Sequence, residues 1–369
     1  MIVLYMEALT MSNPLAAHPP WRQIAIIAVL LPLMIVLAVL AFAWPQARLA
    51  PRDLPVGIVG TSPASQHVLQ GLTRSDPGGF DVRLYGDDAS ARSAIEHRDV
   101  YGAFDATAGG ITVLVASAAS PTVAQLLTTV GQQLARHASA VAAAGGRPRA
   151  IQAREVDVVA TSASDPRGLV LGSALLPLTI CGVIMASIVA LVLQFRPAWR
   201  QVIALISVSA TAGLGAYLIV QGYLGALPHE HVATWAALSL TVLAIGAPVA
   251  GLIALIGPAG LGLGALLMIF TGNPFSAVLS APQLLPAPVG VIGQWLPPGA
   301  AGSLLRGTAY FHGNGASGPL TVLIVWGALG LAAIVAGHHA PIPFAARRAM
   351  DRSATLAAQP GILAGSRVA

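Results

Sequence analysis

Ile24-Ala-Ile-Ile-Ala-Val-Leu-Leu-Pro-Leu-Met-Ile-Val-Leu-Ala-Val-Leu-Ala-Phe-Ala-Trp44 decides how the rest of the chain is read. The run carries no charge, and it matches the roughly 20 apolar residues that take a helix across a bilayer. Ala41-Phe42-Ala43 looks like the small-residue site of a cleaved signal peptide. Signal h-regions stop at about 15 residues, however, so the longer run reads as a retained anchor. Before it lies a short N-terminal segment, 1–23, in which Met6 and Met11 offer alternative starts.

Composition extends that reading to the whole chain. Of 369 residues, 56% are hydrophobic and only 9% are charged. Soluble domains carry about 25% charged residues, so these charges cannot cover a water-facing surface of this size. They are also unevenly placed: eleven of the 14 acidic residues fall between Asp53 and Asp165. All 19 basic residues are Arg. Without Lys there is no P-loop and no Schiff-base chemistry. The single Cys181 excludes an internal disulfide. The net charge of +5 does not point to nucleic acid, because the excess Arg flank apolar runs and form no stripe on the polar segment.

That polar segment, 45–167, alternates strand and helix signals. Leu54–Gly60 reads as a short buried strand, Ser65–Leu72 as a helix, and Phe80–Tyr85 as an alternating strand. Asp87-Asp88-Ala-Ser caps a helix to about Arg98, a reading preferred over cation binding. Tyr101–Phe104 and Ile111–Ala116 read as a strand pair turning at Gly109-Gly110. Ser120-Pro121 opens a long helix to about Ala144, and Glu155–Ala160 is a last strand. A small α/β domain follows.

Five further apolar runs make up a membrane domain at 168–340: Gly168–Leu193, Val202–Leu224, Ala233–Ile256 with Pro248, Leu261 to about Leu279, and Leu320–Gly337. Gly272-Asn273-Pro274 interrupts the fourth of these, and such a break survives only where protein or water satisfies the freed backbone. Arg22, then Arg196 and Arg200, then Arg347, Arg348 and Arg352 mark the cytoplasmic side by the positive-inside rule. The expected fold is an α-helical integral membrane protein of about six transmembrane helices, with an extracytoplasmic α/β domain inserted between the first span (24–44) and the second. Both termini, including the 341–369 tail, would be cytoplasmic, in a bacterial cytoplasmic membrane.

No catalytic set, metal set or cofactor site emerges, so the chain reads as no enzyme. The His pairs His229/His231 and His338/His339 sit at span edges without supporting ligands. No Asp, Glu or Arg sits at mid-depth in a span, which argues against a proton-coupled carrier. The loop 282–317 is too apolar to run free. It is expected to lie in the outer interface as short helices through Pro297 and Pro298, with Trp295 and Tyr310 at headgroup level. Its one charge, Arg306, reads as an anchor to lipid phosphate, or more sharply as an outer gate.

One span, an α/β insert and five more spans resemble the type-2 ABC-transporter permeases, in particular the YhgE/Pip branch. The likeness is carried by Leu54-Pro-Val-Gly-Ile-Val, Tyr101-Gly-Ala-Phe, Val113-Leu-Val-Ala-Ser-Ala-Ala-Ser-Pro121, Gln294-Trp-Leu-Pro-Pro-Gly-Ala and Leu305-Arg306-Gly-Thr-Ala-Tyr310-Phe311. The resemblance implies an exporter subunit for hydrophobic or amphipathic substrates, driven by a separate ATP-binding subunit. It also implies a homodimer or a heterodimer with a second permease. Trp21, Arg22, Phe195, Arg196, Trp199 and Arg200 fall where such permeases touch their ATPase. Within the branch, the alternative is a non-transporting surface protein, such as a phage receptor or a secretion-complex accessory.

Overall fold

The computed structural model describes residues 21–339, except Ala108, 146–148, His229, and the side chains of Arg22, Gln23 and Ser75. The N-terminal segment before Trp21, the tail from 340 with its Arg347, Arg348 and Arg352, and the Arg22 side chain therefore lie outside the described residues. Among the described residues, six helices are long and apolar enough to cross a membrane. The first, α1 (Trp21–Ala47), is apolar all round, and no residue from Ile24 to Trp44 is buried in the protein. Such a surface calls for lipid or another apolar partner.

The α/β insert follows. Its strands are β1 (Leu54–Val59), β2 (Phe80–Tyr85), β3 (Gly102–Thr107), β4 (Gly110–Val115) and β5 (Gln152–Asp157), and its helices are α2 (Pro63–Ser75), α3 (Asp88–Glu96) and α4 (Pro121–Ala144). They form one five-stranded sheet in the order β2-β1-β3-β4-β5. β1 pairs parallel with β2 and β3, β3 and β4 form an antiparallel hairpin, and β4 pairs parallel with β5. The parallel pairs need helical crossovers, and α2, α3 and α4 supply them. Each helix begins where a side chain satisfies free N–H groups. Ser62 accepts from Ser65 N, Asp87 from Ser90 N at 2.8 Å, and Ser120 from Val123 N at 3.2 Å. Asp88 pairs with Arg92 one turn on, so Asp87-Asp88 is a helix start, as read from the sequence. β5 begins three residues before the expected Glu155, because an edge strand with mostly exposed residues offers no apolar alternation to read.

Alternation on β3 and β4 sends Phe104, Val113 and Val115 to one core with Leu72 and Leu127, and Ala103 and Leu114 to the other face. Helix α3 covers only part of that second face. Ala226, Leu227, Ala309, Tyr310 and Phe311 complete it, and all five come from the membrane half.

That half comprises α5 (Leu169–Val192), α6 (Ala198–Tyr217, continued by a π-helical turn to Tyr223), α7 (His231–Ile256), α8 (Pro258–Ala265, continued by a π-helical segment and a last turn to Phe275), α9 (Val289–Trp295), α10 (Pro297–Tyr310) and α11 (Ser317–His339). α7 is central, with fourteen of its 26 residues buried. Small residues bring its neighbours close: Gly182 and Ala186 of α5, Gly213 of α6 and Gly330 of α11 all sit against it. The α/β domain ties down one end of the bundle. Ser162 and Ser164 hydroxyls donate to Gly225 O, Thr122 Oγ1 to Leu279 O at 3.0 Å, and Asn314 Nδ2 to Glu96 O at 3.0 Å. Trp21, the Leu193–Pro197 connection, Gly257 and His339 consequently fall at the opposite end. The run from Pro258 to Phe275 passes from that far end to the domain end. Its Asn273-Pro274 break is absorbed by the π segment Leu266–Gly272 and by Ser276, whose hydroxyl donates to Asn273 O at 2.6 Å.

Candidate functional site

Side-chain hydrogen bonds between the two halves gather in the seam where the α/β domain meets α10 and the 276–285 segment. It is built from both halves. α3 ends at Glu96, His97 caps it, and Arg98 follows with a positive φ of 65°. Glycine usually occupies that post-helical position, because a Cβ there costs energy. The strained backbone aims the Arg98 side chain at α10. Its Nη1 donates to Ser303 O at 3.1 Å, and its guanidinium lies 5.3 Å from the centre of the Phe311 ring. Tyr101, at the mouth of β3, donates its hydroxyl to Gln283 Oε1 at 3.0 Å. Arg52 reaches Leu284 O at 2.9 Å, and Ala50 N donates to the same carbonyl at 3.0 Å.

From the membrane half, α10 presents Arg306, which is 7% exposed and donates to Val278 O. Burial, and secondly the Arg98 charge, draw Arg306 down to about 10, which leaves it a cation at neutral pH. Burial likewise raises Tyr101 and lowers Arg98. Tyr310 is pushed up to about 12, by burial first and by Asp165 second, so its hydroxyl stays protonated and donates to Ala226 O.

The residues singled out from sequence divide between two places. Arg306 and Tyr310 lie in the seam, both buried, with their side chains held by the backbone carbonyls of Val278 and Ala226. The apolar 282–317 stretch does form short helices, but the sheet's second face covers part of it, so less of it faces lipid than its composition suggests. Pro297 and Pro298 open α10, and both are buried, Pro298 against Gly272. Trp295 alone of this group is largely exposed, at 68%, and its carbonyl accepts from Trp326 Nε1 at 2.8 Å. The second group lies at the far end of the bundle. Trp21, Phe195 and Trp199 are exposed there, Phe195 at 91%, and Arg200 stacks its guanidinium 5.2 Å from the Trp199 ring centre. The Arg22 side chain is outside the described residues.

Sequence reading missed Arg98, Tyr101 and Gln283 as site residues. One signal was present: Glu96-His97-Arg98-Asp99 ends a helix with no glycine where one is usual. Among the described residues no three His, Cys, Asp or Glu side chains converge as metal ligands do.

Fold and seam define a multi-pass membrane protein with one α/β domain docked on the end of its helix bundle. Comparison with known proteins leaves the description there: no family model, no curated protein and no solved structure matches the chain.

Proposed function

We propose that the chain is the membrane-spanning subunit of an ABC-type exporter in a bacterial cytoplasmic membrane. It would work as a dimer, move a hydrophobic or amphipathic substrate, and take its energy from a separate ATP-binding subunit. The α/β domain lies outside the cell in this reading, and both termini lie in the cytoplasm. One observation carries it. The bundle end opposite the domain bears exposed Trp21, Phe195 and Trp199 beside Arg196 and Arg200, and exposed aromatic and Arg side chains are the types that anchor protein interfaces. Orientation is supported by charge: the domain-side loops 225–230 and 276–316 hold one Arg, the buried Arg306.

The test is co-purification from detergent. An ATP-hydrolysing subunit is expected to accompany the wild-type chain, and Phe195→Ala combined with Arg196→Glu and Arg200→Glu is expected to reduce its recovery by about tenfold or more, as loss of interface anchors does. Recovery of no ATPase with the wild-type chain would sink the proposal. Orientation has its own check. A reporter inserted after Ala144 should signal outside and one after Arg200 inside, and the reverse pair would overturn the topology. A second reading, the non-transporting surface protein, is favoured by the shortness of the Leu193–Pro197 connection between α5 and α6. Loss of phage adsorption on deletion, with unchanged efflux, would support it instead.

A further inference from the structure

Two guanidinium groups approach the same turn of α10 from opposite halves of the molecule. Arg306 projects from α10 itself. Arg98 reaches Ser303 O, and its Cδ and Nη1 occupy the space that side chains at Gly315 and Gly307 would need. Ser303, Arg306 and Gly307 fall within little more than one helical turn, so the two side chains occupy adjoining faces of that turn, and the charge of Arg98 is felt at Arg306. Among the described residues no carboxylate forms an ion pair with either. The two ion pairs among the described residues are Arg83–Asp81 and Arg92–Asp88. Asp165, whose charge acts on Tyr310, accepts instead from the N–H groups of Leu169 and Val170 at 3.0 and 2.9 Å. Glu96 is exposed and contributes only its backbone carbonyl, to Asn314.

A guanidinium carries five N–H donors. The hydrogen bonds here use one from Arg306, on Val278 O, and one from Arg98, on Ser303 O. Backbone carbonyls and the Phe311 ring face offset part of the desolvation of these charges, but they neutralise neither. Two adjacent like charges in a buried seam are stabilised far better by an anion that both can hold.

We propose that Arg98 and Arg306 together form a binding site for a phosphate-bearing anion at the seam between the α/β domain and α10. The planar fork of each side chain matches phosphate oxygens in pairs. Position favours a lipid headgroup as the source: Val278, which accepts from Arg306, lies three residues beyond Phe275, where the fifth apolar span ends. A free phosphate offers the same chemistry. The site is independent of any ATPase partner.

The experiment uses the full chain in a neutral maltoside detergent and follows Tm by tryptophan fluorescence. Phosphatidylglycerol is added in one arm and inorganic phosphate in the other. A rise in Tm with phosphatidylglycerol alone supports a lipid ligand, and a rise with phosphate alone supports a free one. In either case Arg98→Gln and Arg306→Gln should weaken the response by about tenfold or more, the loss expected when a charge-assisted fork is removed. Without ligand, Arg306→Gln should leave Tm unchanged or raised, because it relieves like-charge repulsion. A plain structural clamp predicts the opposite sign. The proposal is overturned if neither addition gives an Arg-dependent shift, or if Arg306→Gln lowers Tm equally with and without both additions. Should Arg306→Gln not fold, the part-buried Arg98→Gln decides alone.

Discussion

Gly330→Leu is expected to destabilise the helix bundle by about 3 kcal/mol, the upper end of what overpacking costs. A Cβ on Gly330 would stand 2.3 Å from both Ala247 C and Pro248 N, and these are backbone atoms of α7 that cannot rotate away. The reciprocal position is equally tight, since a Cβ on Gly251 would lie 2.8 Å from Gly330 O. The two helices must move apart, and α7 is the element against which α5, α6 and α11 all pack. Leucine is more apolar than glycine, so membrane insertion should not suffer and the loss would come from packing alone. Gly330→Ala should show a smaller effect of the same sign. Gly262→Leu is the control: it also lies in an apolar span, and its Cβ would meet nothing within 4 Å. Thermal unfolding in detergent, followed by tryptophan fluorescence, checks the series. A Gly330→Leu chain as stable as the Gly262→Leu chain would show that α7 and α11 do not cross this closely.

Much of the architecture was legible because it rests on local rules. The apolar runs announce themselves by length, and all six coincide with helices. Ser120-Pro121 and Asp87 mark helix starts by side-chain chemistry that acts within three residues. The hairpin of β3 and β4 follows from two alternating runs around a glycine turn. The seam was not legible, for the opposite reason. Tyr101 and Gln283 are 182 positions apart, and Arg98 and Ser303 are 205 apart, so no periodicity links them. The burial of Tyr310 was hidden for the same reason. An aromatic residue with one polar atom near a span suggests a headgroup contact, and nothing local announces that a sheet face lies over it. Arg306 looked solitary because its neighbour in charge comes from the other half of the chain.

Phe104→Ala should be the most damaging single change in the α/β domain. Phe104 is fully buried on β3, in one core with Leu54, Val113 and Leu127. Emptying such a site costs about 3–5 kcal/mol, lost transfer energy plus an unfilled cavity. The less obvious expectation is where the loss spreads. Ala281 and Leu284 of the membrane half belong to the same core, and the Leu284 carbonyl is held by Ala50 and Arg52. The domain and the 281–284 segment should therefore loosen together. Because each 1.4 kcal/mol is a factor of ten, amide exchange in β1, β3 and β4 should accelerate by roughly a hundred- to a thousandfold or more. Residues 281–284 should follow in the same variant, while α7 and α11, whose contact does not involve this core, keep their protection. Unchanged exchange at 281–284 would mean that the domain sits on the bundle as a separate body, and the buried seam would then lose the rigidity that a two-arginine site requires.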